Sequence, residues 1–317
     1  MKFSTPVSIS NSIHPIDYNS KMVSLGSCFA DNMGEKLDYF KFQNTTNPFG
    51  IIFNPASIEK LVYRAVNQKK FTEEDIFFHN ERFQCFEVHS DLSSENKEEF
   101  LDNLNTKLEL MHLKIKEATH VLITYGTSWV YQEKVSGTVV ANCHKMPQSH
   151  FDKHIISVAT IEAAIQNTVD DVRKLNPNCA FIFTISPVRH IKDGFVENQR
   201  SKAHLITALQ NLLSDHLLDY ASYFPAYEIV MDELRDYRFY GDDLLHPSTM
   251  AIDYIWHRFR VSSISEAVAS VLDEVDVIQK SLMHKPFNPT SQGHQKFQSQ
   301  LQEKIASLLE NYPVIQF

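Results

Sequence analysis

Four short apolar runs constrain this chain more than anything else in it: Met22 to Leu25, His120 to Tyr125, Ala180 to Ile185 and Glu228 to Met231. Each leads into turn-like or polar residues, which is how strands buried on both faces of a parallel sheet read. Between them lie helical patterns over Ala30 to Phe40, Ile58 to Val66, Lys97 to Ala118, Ile161 to Leu175 and Glu197 to Leu218. Strands alternating with helices predict an α/β sandwich. Beyond Phe259 the pattern is helical over Ile264 to Met283, breaks at Pro286-Phe287-Asn288-Pro289 and resumes over Gln295 to Leu309. The domain reading is therefore one domain over residues 1–260 and a C-terminal helical extension over 261–317. Residues Thr72 to Glu95, with Phe77, Phe78, His79, Phe83, Phe86 and His89, read as an aromatic insertion or β-hairpin, either shaping a pocket or forming a satellite core.

Composition excludes several classes. With 317 residues, 43% apolar and 22% charged, the chain can bury a full core and fold alone. A net charge of -9 with no clustered Lys/Arg stripe argues against a nucleic-acid or anionic-membrane partner. The four cysteines, Cys28, Cys85, Cys143 and Cys179, are scattered without a C-x-x-C pair, so they read as reduced thiols with neither a zinc framework nor a disulfide scaffold. Residues Met1 to Asn19 carry Lys2 as their only Lys or Arg and no uninterrupted apolar stretch, so no signal peptide is expected. No run approaches the roughly 20 apolar residues of a membrane span, and the cytoplasm is the expected location.

The residues that can carry chemistry all follow the carboxyl ends of the expected strands, the edge where ligands bind in open parallel sheets. Ser27 follows the first, Gly126 the second and Ser186-Pro187 the third; Asp243 and His246 lie beyond the fourth. A serine hydroxyl becomes nucleophilic when a base takes its proton, and histidine suits that role at neutral pH. Asp243 lies three residues before His246, a spacing that puts both side chains on one side of a turn and lets the carboxylate hold the imidazole tautomer. Ser248 or Thr249 caps the helix that follows. Ser27 itself reads equally as the N-cap of the helix beginning near Phe29, and the free amides there would also stabilise an oxyanion. Cys28 is the rival nucleophile, a thiol at the same helix end. Asn142-Cys143-His144-Lys145 reads as cleft residues or a structural hairpin rather than a metal site. Arg189 and His190 either grip an anionic or polyol part of a substrate or sit as surface charges. Ser201-Lys202, on the next helix, ranks below them.

At these residues the chain resembles the GSCFA-domain proteins, a group placed near the SGNH (GDSL-like) hydrolases. Leu25-Gly26-Ser27-Cys28-Phe29-Ala30 carries the naming pentapeptide. Asn47-Pro48-Phe49-Gly50, Tyr125-Gly126-Thr127, Asn142-Cys143-His144-Lys145, Ser186-Pro187-Val188-Arg189 and the block from Asp243 to His246 follow in family order over roughly residues 20 to 260. The resemblance implies a three-layer α/β/α fold with Ser27 as nucleophile and Asp243 and His246 as its partners. It also implies an oxyanion site made by the amides of Ser27 and Gly50 with an asparagine side chain. Where that asparagine is expected the sequence reads Gly126-Thr127-Ser128-Trp129, so Ser128 occupies the position and Asn142 is the substitute from a neighbouring loop. Gly126, His144 and Arg189 complete the expected substrate contacts. The implied activity is hydrolysis of an O-acyl ester, of a carbohydrate or other metabolite, without a cofactor. An acyltransferase using the same site, a catalytically silent binding or assembly protein, and a Cys28-dependent thiol enzyme are the alternatives.

Overall fold

The computed structural model describes residues 5–215 and 219–317; residues 216–218 at the end of the helix expected over Glu197 to Leu218, and the first four of the N-terminal segment, lie outside the described residues. Among the described residues, the central sheet has five parallel strands: β1 (Lys21–Gly26), β2 (Gln43–Thr46), β3 (His120–Tyr125), β4 (Ala180–Ile185) and β5 (Ala221–Tyr223). Their spatial order is β5-β4-β3-β1-β2. Val23 pairs with Val121 and Val121 with Phe181, while Gly26 pairs with Thr124, so the carboxyl ends of β1 and β3 lie side by side. The chain leaves β1 for β2 on one side and later crosses to β3 on the other. The crevice of a doubly wound sheet opens at such a reversal.

Every residue of β3 and β4 is buried, yet their side chains still alternate between two cores. Val23, Leu25, Val121, Ile123, Tyr125, Phe181, Phe183 and Ile185 face one core. That side is covered by α2 (Pro55–Val66), α3 (Lys97–Glu117), α4 (Val158–Leu175) and α5 (Phe195–Asp215). Met22, Leu122 and Ile182 face the other core, covered by α1 (Cys28–Tyr39) and α6 (Thr249–Ser263). The C-terminal helices α7 (Ala269–Leu282) and α8 (Gln292–Asn311) extend that second layer through Leu272, Val275, Leu301 and Leu308. The architecture is three-layer α/β/α with a helical C-terminal part.

Two strand assignments differ from the sequence reading. The run Glu228 to Met231 is helical: Ala226–Glu228 forms one turn and Ile229–Glu233 continues it as a wider one. Pro225 ends the extended path that Ala221–Tyr223 follows, and a short apolar run buried against helices reads the same as a buried strand. The β2 edge strand, Gln-Asn-Thr-Thr, has no apolar run at all; it is a strand because its backbone pairs with β1. The aromatic insertion contains the hairpin Phe77–His79/Arg82–Gln84, turned by Asn80 and Glu81 at φ 51° and 59°, and a further small sheet pairs residues 129–133 with 139–140 and 151–155.

Candidate active site

The corner between β1 and α1 is fixed by its glycine. Gly26 has φ +135°, and a Cβ there would lie 2.2 Å from the Thr124 carbonyl oxygen, so only glycine lets β1 run this close to β3. The next residue, Ser27, is extended and donates its backbone N–H to Thr124 O at 3.1 Å. Its hydroxyl accepts the Phe29 N–H at 3.2 Å, which makes it the N-cap of α1, and the residue is 2% exposed. Cys28 is partly exposed and opens the helix. Its amide is one of the first-turn donors that no carbonyl inside the helix can satisfy. Burial, and then Asp31, push the Cys28 thiol up; the amides of Phe29 and Cys28 and the charge of Lys202 pull the other way.

Asp243 and His246 form the pair expected of them. His246 Nδ1 lies 2.5 Å from Asp243 Oδ2, and Asp243 Oδ1 accepts the backbone N–H groups of Leu245 (2.9 Å) and His246 (3.0 Å). Those bonds, the His246 amide foremost, hold the carboxyl well below its ordinary range, so it is ionised at neutral pH. With Nδ1 directed at the carboxylate, Nε2 is left as the free ring nitrogen. The pair sits in a closed loop: Gly241 N–H donates to His246 O, and Leu244 adopts φ +58°. The His246 side chain is 50% exposed. Neither Ser27 nor Cys28 hydrogen-bonds to His246 in this state.

A group that the sequence reading ranked low lies at the ends of β3 and β4. Lys202, on α5, is fully buried and reaches the strand ends, donating to Gly126 O and Ser186 O at 2.6 Å each. It thus links the residue after β3 to the residue after β4. Gly126 admits close neighbours: a Cβ there would meet Phe53 Cβ at 2.9 Å and His190 Nε2 at 3.3 Å. His190 lies tilted against the Phe53 ring, donates its backbone N–H to Asn198 Oδ1, and has a buried Nε2 without a partner. Burial, then the charges of Lys202 and His246, lower its pKa to about 4, so it is neutral at pH 7. In the sequence, His190 stands out only by following a strand end and Lys202 only by its place beside Ser201 on the next helix; their burial comes from the packing of α5.

The remaining expected site residues are engaged elsewhere. Gly50 donates its N–H to Asn47 O at 2.8 Å within its own turn. Ser128 is completely buried and exchanges hydrogen bonds with Ser201. Asn142 Oδ1 accepts the His144 N–H, and His144 Nε2 lies 2.7 Å from Cys85 O beside Phe77 and Phe86, inside the aromatic insertion. Arg189 bonds through Nη2 to Leu244 O and through its backbone N–H to Leu245 O, beneath the ring of Tyr240. It therefore tethers the loop that carries His246. Among the described residues no group of three His, Cys, Asp or Glu side chains could hold a metal ion, and no helix is long and apolar enough to cross a membrane.

Comparison with known families places these residues in a shared frame. Residues 21–259 match the GSCFA family, and residues 275–317 match the GSCFA domain protein C-terminal domain. The first match spans most of the sequence and both ends of the site, from the β1–α1 corner to the loop of His246. Comparison with curated proteins returns no match.

Proposed function

The chain belongs to the GSCFA family, and from that premise we propose that it is an SGNH-like acyl-transfer enzyme that hydrolyses an O-acyl ester. The reading is supported by the Asp243–His246 pair, in the geometry of a base and its orienting carboxylate, on a loop tethered to Arg189 beyond the carboxyl end of β4. The nucleophile best supported is Cys28. Ser27 is buried with its hydroxyl occupied as a cap, whereas Cys28 is partly exposed at the positive end of α1. His246 Nε2 takes the thiol proton as sulfur attacks the ester carbonyl, and the Cys28 amide faces the developing oxyanion. The protonated imidazole returns that proton to the departing alkoxide. Water, deprotonated by His246, then cleaves the thioester and restores the thiol. Contact between sulfur and imidazole forms in the substrate complex, as is common for catalytic hydrogen bonds that are loose in the free enzyme. A second reading keeps Ser27 as nucleophile; it requires the hydroxyl to leave the Phe29 amide.

Labelling with iodoacetamide and with a fluorophosphonate, mapped by mass spectrometry, tests this alongside hydrolysis of short acyl esters by the native protein and the Cys28→Ala, Ser27→Ala and His246→Ala variants. The expected result is ester turnover that Cys28→Ala and His246→Ala abolish and Ser27→Ala retains. A fluorophosphonate adduct on Ser27 supports the second reading. Neither adduct nor turnover supports the binding-protein alternative, and acyl transfer to an added alcohol in preference to water makes the protein an acyltransferase.

A further inference from the structure

Arg189 meets no carboxylate among the described residues, although it stands at the rim of the site. Its backbone N–H and its Nη2 bond the Leu245 and Leu244 carbonyls, which fixes the guanidinium against the loop of His246. Three rings surround it: its central carbon lies 4.2 Å from the ring centre of Tyr240, 5.4 Å from that of Tyr237 and 5.8 Å from that of Phe195, the first residue of α5. Tyr237 and Phe195 are each 60% exposed, so this cradle is open to solvent. Within it Nε is buried without a partner, and Nη1 makes no hydrogen bond among the described residues. Nearby acids are committed to other groups. Asp193 binds Lys153, Glu197 binds Arg200, Asp232 binds Arg235, Asp236 binds Arg238, and Asp243 holds His246. Asp242 is exposed and forms no ion pair with Arg189.

We infer that Arg189 is the subsite for an anionic group, a carboxylate or a phosphate, carried by the alcohol part of the ester. The inference rests on the acyl-ester reading above. In that reaction His246 returns a proton to the departing alkoxide, so the alcohol lies on the His246 side of the cleft, and Arg189 is bonded to the two residues that precede His246. A guanidinium matches a carboxylate or phosphate with paired N–H donors, and rings packed on its faces hold its plane before the ligand arrives. The exposed rings of Tyr237 and Phe195 are placed to cover the carbon frame of the same alcohol. A polyol asks only for hydrogen-bond donors and acceptors, which ion-paired side chains also offer; a cation kept from every neighbouring carboxylate selects for negative charge. Elsewhere the rim is acidic, through Asp242 and Asp243, so an anionic ligand has one favourable seat there.

The experiment measures kcat/KM of the full chain on phenyl acetate, 4-acetoxybenzoate and 4-acetoxyphenyl phosphate, for the native protein, Arg189→Met and Arg189→Lys. The quantity read is the ratio of each anionic ester to phenyl acetate, in which the intrinsic reactivities cancel between proteins. It should fall about tenfold or more in Arg189→Met and be partly kept in Arg189→Lys. A fall for one anionic ester alone identifies which group the subsite takes. Loosening of the His246 loop lowers all three esters by one factor and leaves the ratio where it was, so a folded Arg189→Met protein with the native ratio overturns the inference. Should that variant not fold, the native protein carries the test without turnover: the Nε–H resonance of Arg189 is followed during titration with sodium phosphate and with 4-hydroxybenzoate at fixed ionic strength. A saturable shift is expected with at least one of them, while the resonances of Arg235 and Arg238, which already hold carboxylates, stay in place. A resonance unmoved by both overturns the inference. Failure to hydrolyse any ester counts against the proposed function, and the titration then judges Arg189 by itself.

Discussion

Arg64 and Lys202 are both cations inside the protein, and their surroundings differ in one respect. Arg64, near the end of α2, uses its guanidinium fully: Nε and Nη2 form a fork on Glu87 at 2.8 Å, Nη2 also meets Asp75 at 2.8 Å, and Nη1 bonds the Lys69 and Lys70 carbonyls. The ring of Phe71 lies 4.2 Å from its central carbon. These contacts tie the segment that enters the aromatic insertion to α2. Lys202 sits at the carboxyl ends of β3 and β4 with dipoles alone for company. Compensated charge fastens one part of the fold to another. A charge that meets only backbone dipoles keeps much of its burial cost.

The largest effect that bears on this contrast is on chemistry. Cys28→Ala should lower acyl-ester turnover by about 10³-fold or more, with the melting temperature nearly unchanged, as steady-state hydrolysis and calorimetry would show. If Ser27→Ala produces that loss instead, the hydroxyl that caps α1 is the nucleophile. Next comes Arg64→Met, which leaves buried Glu87 with Lys60 alone and Asp75 with Thr72, and should destabilise the protein by about 3 kcal/mol in a denaturant titration.

Lys202→Met should sharpen the contrast through pH. The Lys202 pKa lies near 7 in the folded protein and near its ordinary 10.5 when unfolded. Below pH 7 both states are protonated and the whole cost of burying the charge is felt. Between 7 and 10.5 the unfolded state holds more protons, so this group makes the native protein gain stability as pH rises. The Lys202→Met variant should lose that gain, on the order of a few kcal/mol between urea titrations at pH 6.5 and 10. Equal slopes for the two proteins would show that Lys202 is not a strained charge. The smallest effect belongs to Ser27→Ala, about 1 kcal/mol of stability for a lost helix cap, read from the same titration.

Much of this molecule is legible in order along the chain. The runs at residues 21–26, 120–125 and 180–185 are apolar enough to be buried on both sides, and they are the three middle strands of the sheet. Asp243 and His246 meet because they are three residues apart, a distance over which local turn geometry suffices. Strand identity at the edges was not legible, since β2 is polar and pairs only because β1 lies beside it, and the apolar run at 228–231 turns helical after Pro225.

By itself, then, the sequence determined an α/β sandwich whose candidate site residues follow strand ends, because hydrophobic periodicity and turn chemistry act over a few residues at a time. Tertiary structure alone decided which of two adjacent side chains at the β1–α1 corner is buried as a cap and which is open, since Gly26 must fold against the Thr124 carbonyl for that choice to be made. It alone decided that one lysine on α5 would be dry. The Gly126 and Ser186 carbonyls that receive its amine are 76 and 16 residues away, and only closure of the sheet under α5 brings them together.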